Sequence, residues 1–145
     1  MLFLTIIFWT LTGLACGLAV WKGGDAERFG GALILTFAVI WEATAFLPEG
    51  IRPTLQLVFD FLTALGLLAI AVRYASLWLG GVLLFQALQF SLHSFYFVTK
   101  KPHDNLHAVV NNSVFLAILT CLAVGTLVAW RRRVVAQAKA GAVAA

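Results

Sequence analysis

Charge is scarce in this chain. Its 145 residues include six Asp or Glu and ten Lys or Arg, 11% in all, where a soluble domain carries about 25%. That scarcity, with 62% hydrophobic residues and a mean hydropathy of +0.97, excludes a water-soluble globular domain. Cysteine is nearly absent too. Cys16 and Cys121 lie deep in apolar sequence, so a disulfide framework is not indicated, and thiols in such surroundings are normally inert. No glycine-rich phosphate loop, HExxH helix or CxxC is present, which removes the motifs for nucleotide, zinc-protease and dithiol chemistry.

What the chain has is apolar length. Five stretches, roughly 2–21, 30–47, 54–72, 77–98 and 106–130, come close to or exceed the about 20 residues that a spanning helix needs. Backbone polar groups in hydrocarbon must be satisfied internally, which leaves helices or a closed barrel. The alternation of a barrel strand is missing. The expected fold is therefore an all-α integral membrane protein, a compact bundle of five transmembrane helices formed by residues 1–130. Residues 131–145 make a short basic cytoplasmic tail. The first stretch reads as a span and not as a cleaved signal, since no basic residue precedes Lys22 and the run is longer than the usual signal core.

Alternate connections fall on opposite sides of the membrane. Lys22, Arg28, Arg73, Arg131, Arg132, Arg133 and Lys139 share one side, and Arg52, Lys100 and Lys101 the other. Seven against three makes the tail side cytoplasmic, so the expected orientation is N-out and C-in, multi-pass, in a bacterial inner membrane. Trp21, Trp78 and Trp130 fall at the cytoplasmic boundary, where an interfacial aromatic belt is expected. The Arg131-Arg132-Arg133 run reads as an anchor on anionic lipid. The sequence pI of 9.5 reflects this topology signal, and nucleic acid is not an expected partner.

Within the spans, Glu42, Asp60, His93, His107 and Asn111 fall in one layer. Counted from the outward ends of their stretches, Glu42, Asp60, His93 and Asn111 lie about 8–9 Å deep. Each intramembrane polar group costs about 2.5–3.5 kcal/mol, so such groups pair or serve a function. Helical spacing gathers Gln86, Gln89, His93 and Tyr96 on one stripe, Gln56, Asp60 and Thr63 on another, and His103, His107 and Asn111 on a third. Glu42 shares a face with the small residues Gly31, Ala38 and Ala45, and the first stretch offers Thr5, Trp9, Thr12 and Cys16. Asp60 is expected to meet His93, because a short connection makes their helices neighbours. Glu42 is expected to meet His107 or Asn111. The candidate ligand-binding residues are Glu42, Asp60, Gln89, His93, His107 and Asn111.

Three functions are compatible with this layer. The first is an outward-facing intramembrane pocket that binds or passes a proton, a cation or a small polar ligand. The second is a non-catalytic accessory or structural subunit of a larger membrane complex, with the layer specifying packing only. The third is a holin-like pore-former. Catalysis has the least support, since no nucleophile, base and oxyanion donors group together, and a role other than an enzyme is expected. The histidines and carboxylates are ligand types suited to zinc or iron, yet His103–His107 is the sole pair with tight spacing on one helix. Neither a metal nor a cofactor is assigned. The lipid bilayer is the expected partner, with a homo-oligomer or larger membrane complex open. Gly13 and Gly17 form a GxxxG that permits close helix contacts within one bundle or between copies.

Overall fold

A computed structural model of the chain describes residues 2–48, 50–102 and 104–143, with side chains described between residues 5 and 142 of those segments. The described residues form five long helices, α1 (Leu2–Lys22), α2 (Asp25–Ala43), α3 (Arg52–Tyr74), α4 (Leu77–Thr99) and α5 (Asn105–Val143), with a short 3-10 turn at Thr44–Phe46. All five are long and apolar enough to cross a membrane. This architecture fits a transmembrane helical bundle.

Local chemistry sets the helix ends, and they differ from the bounds of the apolar stretches. α2 starts at Asp25, five residues earlier than hydropathy suggests, because Glu27 Oε2 reaches back to accept the N-cap Gly24 N–H at 2.9 Å. Asp25 and Glu27 also suit the positive end of the helix dipole. The turn between α1 and α2 is Gly23–Gly24. A Cβ at Gly23 would come within 2.6 Å of the Glu27 Cβ, so only glycine fits this close approach. α3 opens with Pro53 in its first turn, where a missing N–H costs nothing. It ends at Ala75, which takes the left-handed conformation at φ 45° and donates its N–H to the Ala71 carbonyl. α5 does not end at Trp130. Its 39 residues extend about 58 Å, and the part expected as a separate tail continues the same helix through Val143 with Arg131–Ala142 exposed.

The helices form a ring in chain order, α1–α2–α3–α4–α5, closed by α1 against α5, with α2 also touching α5. At one end lie the start of the chain and the α2–α3 and α4–α5 connections. At the other lie the two tight turns and the extension of α5. The second end is filled by a dry core in which Cys16, Leu67, Leu79, Val82, Leu122 and Thr126 are completely buried. The Thr126 hydroxyl is satisfied within its own helix by the Leu122 carbonyl. Large apolar side chains cover the outside, among them Leu77 at 94% exposure and Val72 at 80%.

Two expectations need correction here. Trp78 does not present its ring outward as a belt residue would; it is buried, and its indole N–H donates to Glu27 Oε1 at 2.8 Å. The reason is that Gly30 and Gly125 leave room for the indole between α2 and α5. Gly13 and Gly17 do not mediate a close contact inside the bundle, since both are exposed with open space where a Cβ would sit.

Candidate functional site

The end of the bundle away from the dry core contains a cavity of about 270 Å³ to which all five helices contribute. Its polar wall comes mainly from α3, α4 and α5. On α3, Gln56, Asp60 and Thr63 recur at helical spacing and face inward; Gln86, Gln89 and His93 do the same on α4, and Asn111 on α5. Asp60, His93 and Asn111 stand eight, six and six residues from the helix ends nearest this side, about 9–12 Å along each axis. They therefore share a depth.

Asp60 Oδ2 is bonded to His93 Nδ1, with both residues buried. This pairs the two residues whose helices were expected to be neighbours. The opposite ring nitrogen, His93 Nε2, lies 2.9 Å from Gln56 Nε2 and 3.0 Å from Asn111 Oδ1. Gln89 donates to the same Asn111 oxygen at 3.2 Å, and Gln86 donates to the Asp60 backbone carbonyl at 3.2 Å. With a carboxylate at Nδ1, that nitrogen is held as the donor. Nε2 then faces both an amide donor, Gln56, and an amide acceptor, Asn111.

Glu42 is placed differently. It stands one residue before the end of α2, exposed, and lines the cavity. Its carboxylate does not meet His107 or Asn111. Oε1 accepts the Trp9 indole N–H at 3.1 Å, which ties α1 to α2. The expected pairing fails because α2 gives way to the 3-10 turn just beyond Glu42 and α1 is its nearer neighbour. Gln89 and Asn111 line the cavity, whereas His107 stands behind its wall. The His107 ring packs 5.3 Å from that of His93 and edge-on to Tyr96 at 4.7 Å. His103, the other half of the tightly spaced pair, lies outside the described residues. Among the described residues no three His, Cys, Asp or Glu side chains are grouped to hold a metal ion.

Outside the spans, Asp104 caps α5. Its Oδ1 accepts the Tyr96 hydroxyl at 2.6 Å and the His107 backbone N–H at 2.9 Å, and Lys101 pairs with Oδ2 at 3.0 Å. The Tyr96 hydrogen bond above all, then the His107 N–H and Lys101, holds its carboxyl well below the usual carboxylate range. The same hydrogen bond to Asp104 pushes the Lys101 ammonium up.

Sequence reasoning missed the aromatic half of the cavity, which includes Phe37, Trp41 and Phe59. It also missed buried Glu27 at the opposite end. A usable signal existed for Glu27: Glu27, Gly30, Gly31 and Ile34 recur at helical spacing and all prove buried. No family model, curated protein or solved structure matches this chain.

Proposed function

We propose that this chain is a multi-pass membrane protein, N-out and C-in in a bacterial inner membrane, whose pocket takes up a proton, a cation or a small polar ligand from the outward side. The observation behind the proposal is the cavity of about 270 Å³, with the Asp60–His93 pair in its wall and Glu42 among its lining residues. Ionisable residues placed inside a membrane are functional candidates by default, because insertion penalises them. The exposed apolar surface supports the membrane setting, since soluble monomers rarely expose patches beyond a few hundred Å². The basic residues cluster at the end opposite the cavity, so the positive-inside rule turns the cavity outward.

The apolar layer of Leu67, Leu79, Val82 and Leu122 supports binding over free passage through one copy. One observation favours a second reading, an accessory membrane subunit: the network residues hydrogen-bond chiefly to one another, as a packing device would.

Ala38 lines the cavity and separates the two readings. In a Cys16→Ala, Cys121→Ala background, Ala38→Cys should react with a membrane-impermeant maleimide applied to the outer face of spheroplasts. Reaction only after unfolding in detergent would mean a closed, packed layer and would leave the accessory subunit standing. Reaction in inverted vesicles alone would reverse the orientation.

A further inference from the structure

The pocket has a charge and a wall chemistry that narrow what it can hold. Among the described residues no Lys or Arg side chain lines it, whereas Glu42 and Asp60 both do. Asp60 is engaged by His93. Glu42, by contrast, is exposed, with a neutral indole N–H as its hydrogen-bond partner among the described residues. Much of the lining is aromatic: Phe37, Trp41, Phe59 and Trp9, which bonds Glu42, come from three helices, and the rings of Phe37 and Phe59 lie 6.0 Å apart in a tilted pair. Ring faces are negative, so aromatic walls beside a carboxylate attract a cation that sheds its water easily. Trp41 already has a cation over its ring, the Arg52 guanidinium at 5.8 Å.

Size and donor set decide which cation. A volume of about 270 Å³ falls just under the roughly 300 Å³ at which pockets for drug-sized ligands begin. A hard divalent ion needs six or more oxygens, and zinc about four ligands in a tetrahedron; the carboxylates here are tied separately to Trp9 and His93. An anion would meet two carboxylates, and the described lining residues include no Lys or Arg to offset them.

We infer that the pocket is a site for a small organic monocation, an alkylammonium or quaternary ammonium, with the charge on Glu42 and the alkyl groups against Trp9, Trp41 and the Phe37–Phe59 pair. Asp60 and His93 form the polar floor that a hydroxyl or amine N–H on the ligand would reach. This inference rests on the outward-open pocket proposed above.

The test uses the full chain purified in mild detergent, with choline and tetramethylammonium as probes and 3,3-dimethylbutan-1-ol as the uncharged isostere of choline. Calorimetry should show both cations binding more tightly than the isostere, on the order of tenfold or more. Glu42→Gln should remove that preference while leaving the isostere unchanged. Trp9→Phe, which keeps a ring but loses the N–H on Glu42, should weaken choline less than Glu42→Gln does. Choline should also protect Ala38→Cys from maleimide. Equal binding of choline and its isostere would overturn the cation assignment, and so would choline binding that Glu42→Gln leaves intact. If Ala38→Cys labels from outside while neither cation binds, the ligand class is wrong and the open pocket stands. If it labels from neither side, both readings fall together.

Discussion

Trp78 sits where two glycines leave space for it. A Cβ on Gly30 would come within 2.7 Å of the indole Cη2, and one on Gly125 would fall inside van der Waals contact with its Cγ. The indole N–H reaches Glu27 Oε1, and the other Glu27 oxygen accepts the Gly24 N–H. A buried carboxylate is tolerable because both its oxygens have donors. Gly125→Val should therefore displace the indole and cost about 1–3 kcal/mol, read as a lower midpoint of thermal unfolding in detergent. An unchanged midpoint would mean that the indole has room to move. None of this was legible at single residues, since Trp78 and Glu27 are 51 positions apart and a tryptophan near the start of a span reads as an interfacial anchor. The Asp60–His93 contact was legible, because the short connection Ala75–Ser76 makes α3 and α4 antiparallel neighbours.

Hydropathy located five helices, and the helix bounds differ from those of the apolar stretches because hydropathy measures the apolar slab and not the caps. Asp25 and Glu27 precede the second apolar stretch in the sequence, yet they open α2. The basic residues after Trp130 read as a tail, yet nothing there breaks the helix, since the segment has no proline and is rich in alanine. At the start of α5 the cap is Asp104, and its effect has a predictable pH dependence. Its folded pKa lies below the unfolded one near about 3.9, so its stabilisation is complete above that value and is lost as pH falls through the depressed folded pKa. Asp104→Ala should lower the unfolding midpoint at neutral pH, and the gap from the parent should close in strong acid. Melts at a series of pH values check this; a gap that stays constant into acid would mean that the charge contributes nothing.

For the molecule as a whole, the proposed orientation has a direct check. Reporter fusions after Trp130 should report cytoplasm, and fusions within 48–53 the exterior; a cytoplasmic signal from 48–53 would place the cavity on the inner side. Composition and periodicity alone determined that the chain is helical, how many helices it has, that each is apolar enough for a membrane, and which polar residues share a face. Those properties are local: they follow from 3.6-residue spacing and from the cost of unpaired backbone in hydrocarbon. Only the tertiary structure decided which faces meet. It bonded Glu42 to Trp9 in place of His107 or Asn111, set His107 behind the wall, brought aromatic rings from α1, α2 and α3 into the cavity, and packed the other half dry. The physical reason is that helix rotation and order in the ring depend on close contacts such as Trp78 in its glycine slot, made between residues far apart in the chain and invisible to any local pattern.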